Sequence, residues 1–299
     1  LRILSTVLSA LLVISAVDVS VLMSRIKHFD MVPTVGAAGQ TWVVVGSDSR
    51  ADLPAGAAQS SFGSTTQVSG ARADVVLVVH RGLDGHVWTL SIPRDMLMHN
   101  QSGQINRLTL TFDVSPQNLV DSLCSTLGIP TDHLIVVDFA VFTSVVDVLG
   151  GITVTTPTPL RDTYAGLALP QGGTQRLDGN QALALVRSRH TEEMISGRWV
   201  SIADGAAQRT AWSGVIFSSI ERAATAAADP VVVQRLAWHV SGEVVTDQHT
   251  SMADLATLAG ETGPVVDVPA DPITGGLAVQ PSDQTYSVLA AAGFDRGCH

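Results

Sequence analysis

Three short segments, rich in valine and poor in charge, constrain the fold of this chain more than anything else in it. They are Thr41–Gly46 (TWVVVG), Ala73–His80 (ADVVLVVH) and His86–Ile92 (HVWTLSI). β-Branched and aromatic side chains suit a pleated, buried surface, so each segment reads as a strand. Arg81–Gly85 joins the last two as a hairpin turn. Ala51–Gly70, rich in Ser, Gly and Gln, reads as a long loop between the first two.

Helices and further strands alternate downstream. Leu119, Val120, Leu123 and Leu127 recur at helical spacing in Pro116–Leu127, with Ser115 placed as its cap. His133–Asp138 reads as a strand, Phe139–Leu149 as a helix stopped by Gly150-Gly151, and Ile152–Thr156 as another strand. Gln181–Arg187, Ala206–Ala228, Pro230–Val240, Met252–Ala259 and Gln284–Ala292 read as helices, the first capped by Asp178 or Asn180. The alternation implies an α/β domain, a central sheet covered by helices in a three-layer αβα arrangement. The hairpin makes that sheet mixed rather than wholly parallel.

Ile3–Met23 is almost continuously apolar, which is about the ~20 residues that a spanning helix needs. The expected organisation is a transmembrane anchor over residues 1–24 and a linker over 25–40. The main domain follows over 41–229, with a C-terminal α/β extension over 230–299 packed on it. The formal net charge of −10 argues against nucleic acid as a partner, since a phosphate backbone demands a broad basic surface. Cys124 and Cys298 are far apart and form no CxxC pair, which disfavours structural zinc. In an oxidising compartment they would join and tie the tail to the body, a loop closure worth roughly 4–5 kcal/mol before native strain.

Charges gather at the ends of the valine-rich strands. Asp48 follows the first in Gly46–Arg50 (GSDSR). Arg72 and Asp74 enter the second in Ala71–Asp74 (ARAD), and Arg94 and Asp95 follow the third in Ser91–Asp95 (SIPRD). Residues two apart in a strand share a face, so Arg72 and Asp74 can address one ligand. Arg187 and Arg189 lie close together in Arg187–His190 (RSRH), an arrangement that calls for an anion or carboxylates nearby. Lys27 is the only lysine, and guanidinium forks grip phosphate bidentately. Two carboxylates, Asp48 and Asp74, suit Mg²⁺, which shares one or two carboxylates with substrate phosphates. The combination points to metal-assisted phosphoryl transfer or pyrophosphate binding. The scattered histidines form no HExxH, and there is no GxSxG elbow or GxxxxGK[ST] loop.

In order along the chain, VVVGSDSR (Val43–Arg50), ARADVVLVV (Ala71–Val79), LSIPRD (Leu90–Asp95), QINRL (Gln104–Leu108), VDFAVFTSVVDVLGGITV (Val137–Val154) and LDGNQALALVRSRH (Leu177–His190) resemble the LytR-CpsA-Psr family of cell-wall phosphotransferases. The resemblance implies a membrane-anchored enzyme whose catalytic domain lies outside the cytoplasm. Its donor would be a polyprenyl-pyrophosphate-linked glycan, with the prenyl chain in an apolar tunnel beside the sheet. It would pass the glycan phosphate to a peptidoglycan hydroxyl and release polyprenyl phosphate. Asp48 and Asp74 match the residues associated with Mg²⁺ (or Mn²⁺), and Arg72, Arg94, Arg187 and Arg189 match those that bind pyrophosphate. Asp74, Arg72 and Asp95 are the expected catalytic set, and Asn106 a further polar site residue in a K-I-N-like motif whose lysine is here Gln104. Where the family carries GR-x-x-RQ, this chain reads SGRWVSIADGAAQRT, so Arg198 or Arg209 fills the last arginine position. The alternatives are a pyrophosphatase acting on the same glycolipid and a glycolipid-binding module without catalysis.

Overall fold

The computed structural model describes residues 18–47, 73–100, 102–188, 190–202, 205–226, 229–260, 264–274, 278–294 and 297–298. Helix α1 (18–25) precedes β1 (Lys27–Phe29) and β2 (Gly39–Ser47). Next come β3 (Ala73–Gly82), β4 (Val87–Ile92), the hairpin of β5 (Leu97–His99) and β6 (Ile105–Arg107), helices α2 (Leu108–Val114) and α3 (Pro116–Leu127), and β7 (His133–Val137). The middle of the chain holds α4 (Phe139–Val148), β8 (Ile152–Thr156), β9 (Leu160–Asp162), β10 (Leu167–Leu169), β11 (Gly173–Leu177) and α5 (Gly179–Arg187). The hairpin of β12 (Glu192–Ile195) and β13 (Arg198–Ser201) follows, then α6 (Gly205–Ala226) and α7 (Pro230–Glu243). The last stretch supplies β14 (Val245–Asp247), α8 (Met252–Gly260), β15 (Val265–Asp267), β16 (Asp271–Pro272), β17 (Val279–Gln280) and α9 (Asp283–Ala291). Asp138–Val240 makes one compact unit, and the described residues on either side of it make the other.

The first unit is built on a seven-stranded mixed sheet in the order β1-β14-β7-β2-β3-β4-β15. β2, β3 and β4 are the valine-rich strands, and they form an antiparallel meander. β7 joins β2 in parallel, and β15 joins β4 in parallel. Thr41, Trp42 and Val43 are consecutive and all buried, and successive strand residues point to opposite faces, so β2 is covered on both sides there. One face carries Val43, Val45, Val76, Val78, Leu90 and Ile92 in a single core with Leu119, Leu123 and Leu127 of α3. Each such side chain contributes about 1.5–3 kcal/mol by leaving water.

Local signals explain α3. The Ser115 hydroxyl accepts from the Asn118 N–H, Pro116 occupies the first turn, and Gly128 takes the left-handed conformation (φ 68°) that ends the helix. Cys124, on this helix, is disulfide-bonded to Cys298. Residues 25–40, expected as a linker, contain β1, which pairs in parallel with β14. Most of the expected anchor, residues 1–17, lies outside the described residues. Among the described residues no helix is long and apolar enough to cross a membrane.

The second unit has its own core, in which Val146 of α4, Ile152 and Val154 of β8, Leu185 of α5, and Trp212 and Ile216 of α6 meet. β8 pairs with β11, and β9 lies between β10 and β12 in a separate four-stranded sheet. Asp138 caps α4, and Asp178 closes a capping box with Gln181 at the start of α5. Gly179 belongs to the same joint. A Cβ there would sit 2.4 Å from the Thr143 carbonyl oxygen, so only glycine lets α4 and α5 approach this closely.

Candidate active site

The β3–β4 register determines which charges meet. Val76 pairs with Ile92 at the end of this antiparallel ladder. Two residues further along each strand are Asp74 and Arg94, which therefore come side by side, and Arg94 Nη1 forms an ion pair with Asp74 Oδ1. Arg94 Nε lies 3.4 Å from Asp95 Oδ2, and Asp95 Oδ1 lies 3.2 Å from Arg107 Nη1. The result is a chain of alternating charges, Asp74–Arg94–Asp95–Arg107.

The turn that carries these residues is fixed through its backbone. The Pro93 carbonyl accepts from the Met96 N–H at 3.0 Å, and the Arg94 carbonyl from the Thr109 N–H at 2.8 Å. The Asp95 carbonyl accepts from the Val279 N–H at 3.0 Å, and the Met96 carbonyl from the Leu108 N–H at 2.8 Å. Four successive carbonyls are thus held by the start of α2, by β17 and by the turn itself. Arg107 stands at the end of β6, opposite Leu97 and directly before α2.

The four side chains keep between 19% and 38% of their surface exposed. Ion pairs this open contribute little to stability, about 0–1 kcal/mol each. Their chemistry matters more than their strength. Arg94, held between two carboxylates, and Arg107, held by one, can each exchange a carboxylate for a phosphate oxygen. Among the described residues no group of three or more His, Cys, Asp or Glu side chains could hold a metal ion.

The second unit positions the remaining arginine stretch. Arg187 is the last residue of α5, and its guanidinium lies 4.9 Å from the centre of the Phe139 ring, a cation–π contact. Asp162 Oδ2 accepts from the Ser188 hydroxyl and from the His190 N–H, both at 2.8 Å. Burial alone would raise the Asp162 carboxyl above its ordinary range. The donors from His190, Ser188, Ala165 and Tyr164 outweigh burial and hold it below that range.

Of the residues singled out from sequence, Asp74, Arg94 and Asp95 are brought together, with Arg107 added to them. Arg107 belongs to the same QINRL stretch as Asn106, but the sequence alone assigned it no role. Asn106 sits in β6 opposite Met98, half-buried. Arg198 opens β13 and is exposed. Arg209 lies in α6, but its side chain is outside the description, and Asp48, Arg72 and Arg189 lie outside the described residues. Asp162 carried no motif, because a three-residue strand leaves no periodicity to recognise.

An α/β unit with a mixed sheet and an acid–arginine chain at the end of its central strands defines a narrow class. The LytR_cpsA_psr family model matches residues 20–198, and the chain belongs to that family. A solved LytR-Csp2A-Psr enzyme from Actinomyces oris is 34% identical with a TM-score of 0.76, over 92% of this chain and 98% of that one. LcpB of Corynebacterium glutamicum, a probable cell wall biosynthesis protein, is 30% identical over 172 residues, 56% of this chain and 41% of LcpB. TagT of Bacillus subtilis, a polyisoprenyl-teichoic acid–peptidoglycan teichoic acid transferase, is 29% identical over 177 residues, 57% of this chain and 50% of TagT. The chain thus spans half or less of the length of these two curated relatives.

Proposed function

We propose that this protein is a cell-envelope phosphotransferase that moves a glycan phosphate from a polyprenyl-pyrophosphate-linked precursor to a peptidoglycan hydroxyl. The observation that carries the proposal is the Asp74–Arg94–Asp95–Arg107 chain, in a family whose relatives include a teichoic acid transferase. In the reaction, the acceptor oxygen bonds to the glycan-bearing phosphorus as the bond to the bridging pyrophosphate oxygen breaks. Polyprenyl phosphate leaves, and the hydroxyl proton passes to a carboxylate, Asp74 or Asp95.

Each charged residue then has a role. Arg72, Arg94, Arg187 and Arg189, with Arg198 or Arg209, neutralise the pyrophosphate, and Asn106 adds a polar contact. Arg107 holds Asp95 so that Arg94 keeps one orientation. Phosphoryl transfer depends mostly on positioning and charge neutralisation, which a fixed arginine set supplies. Asp48 and Asp74 would hold Mg²⁺ (or Mn²⁺) with the substrate phosphates. Asp74, partly exposed and at the sheet end, fits such a donor set of one or two carboxylates. The metal would supply further neutralisation of charge on the transferring group.

Residues 1–24 are proposed as a membrane anchor and 41–229 as the catalytic domain. The sheet would be layered between helices, the prenyl chain would lie in an apolar tunnel beside it, and the catalytic domain would be extracytoplasmic. The Cys124–Cys298 disulfide supports that location, since such bonds persist in oxidising compartments.

The deciding experiment incubates the purified chain with a polyprenyl-pyrophosphate-linked glycan and a peptidoglycan oligomer, with and without EDTA, and weighs the products. Glycan phosphate on the oligomer is the expected outcome. Free glycan phosphate would instead mean hydrolysis, and intact lipid bound without turnover would mean a binding module.

A further inference from the structure

Asp162 ends β9 with 1% of its surface exposed, and the proposed chemistry makes no use of it. Its two carboxylate oxygens serve different partners. Oδ1 accepts from the Tyr164 N–H at 2.9 Å and the Ala165 N–H at 3.2 Å, which closes the turn of its own hairpin. Oδ2 accepts from the Ser188 hydroxyl and the His190 N–H, both at 2.8 Å. Ser188 also shares a 2.6 Å hydrogen bond with the Thr191 hydroxyl. From the same hairpin, the Tyr164 ring meets the His190 ring with centroids 4.9 Å apart.

A turn-closing aspartate needs only the Oδ1 bonds. The Oδ2 bonds reach 26 and 28 residues along the chain, to Ser188, which directly follows Arg187, and to His190. Burying a carboxylate is costly unless its acceptors are filled, and here two of the donors come from the arginine stretch. The two segments therefore fix each other.

We propose that Asp162 is a positioning residue for Arg187. By holding Ser188 and the His190 N–H, it fixes the backbone that follows Arg187, so that this guanidinium meets an anion already placed. A preorganised turn binds without the entropic cost of ordering it. The inference rests on Arg187 engaging pyrophosphate.

Asp162→Asn separates the two duties. It keeps the size of the side chain and one carbonyl oxygen for the hairpin turn, but puts an amide donor where Ser188 and His190 also donate. Wild type, Asp162→Asn, Arg187→Ala, the double variant and Ser188→Ala are compared in the full chain. The measurements are amide hydrogen exchange, KM and kcat for the lipid substrate, and competition by inorganic pyrophosphate. In Asp162→Asn the His190 amide should exchange at least about tenfold faster while the Ala165 amide stays protected. KM and the inhibition constant of pyrophosphate should rise about 10- to 100-fold with a smaller change in kcat, the scale of losing hydrogen bonds to a charged acceptor. In the double variant, Asp162→Asn should add little to Arg187→Ala. Ser188→Ala, which removes one of the two Oδ2 donors, should shift the same quantities less and covers the case in which Asp162→Asn folds poorly.

The proposal is overturned if the His190 amide keeps its protection. It is equally overturned if the turn loosens while pyrophosphate affinity, lost in Arg187→Ala, stays at the wild-type value. Pyrophosphate that binds neither wild type nor any variant would remove the functional reading itself, and the positioning role with it.

Discussion

The two ends of the central sheet both carry buried or half-buried acids, and they satisfy them in opposite ways. At the end where β2 and β7 begin, Asp247 is wholly buried. Its carboxylate accepts from the Leu134 N–H at 2.8 Å, the His249 N–H at 2.7 Å and the Thr250 hydroxyl. His133 is the link to the next layer of this knot, with Nδ1 3.0 Å from the Thr250 hydroxyl and Nε2 3.0 Å from the Gln40 amide. At the other end, Asp74 and Asp95 are paired with arginines and remain partly open to water. Neutral donors fixed in the backbone cannot be handed to a ligand, whereas a guanidinium can. A charge at a strand end is therefore a weak sign of function until its partner is known.

The contrast is sharpest for Asp74→Asn, which should lower turnover about 10²–10³-fold, equivalent to ~3–4 kcal/mol of transition-state stabilisation, with the melting temperature nearly unchanged. Steady-state kinetics beside calorimetry checks it, and a large loss of stability would mean that the open end is architectural too. Asp247→Ala should do the reverse. Leaving the buried Leu134 N–H without its acceptor should cost about 3 kcal/mol of stability in denaturant titration, while turnover per folded molecule stays within a few-fold. Arg107→Ala, at the exposed end of the charge chain, should reduce kcat/KM about tenfold and stability by no more than about 1 kcal/mol.

The smallest effect concerns His80, which belongs to the closed end. It bonds to the Thr41 hydroxyl at 2.9 Å and packs against Phe294. Burial holds its pKa below the usual 6.5, against the pull of Asp132 and Asp84. The folded state therefore binds a proton less readily than the unfolded chain. His80 contributes most above pH 6.5, and that contribution is lost as the pH falls below it. His80→Gln should flatten stability against pH below about 6.5, and an unchanged slope would place the titration elsewhere.

The valine-rich strands and their hairpin were legible in the sequence, but their register was not. A turn over Arg81–Gly85 would set Asp74 opposite Ile92, whereas the ladder pairs Arg81 with Val87 and so brings Asp74 level with Arg94. The capped helix α3 was readable for local reasons. β14 and β15 were not, since a strand of three residues is too short for a period-two pattern to stand out. Arg107 and Asp162 were hidden for a different reason. Each acts through a partner distant in sequence, Arg107 through Asp95 and Asp162 through Ser188 and His190, and only the folded chain brings such partners together.

The short outer strands also decide what the sheet shows to its surroundings. β2, β3 and β4 are long, flat in composition and apolar, the kind of strand that recruits another chain when its edge is open. Here the outermost positions fall to β1 and β15, three residues each. An incoming strand finds only a few unpaired backbone groups there, too few to template a second sheet. Both flanks depend on residues beyond Val244, β14 between β1 and β7 and β15 beside β4. A chain ending before that point would expose β7 and β4 as edges for self-association, and would also lose the Val279 N–H that holds the Asp95 carbonyl.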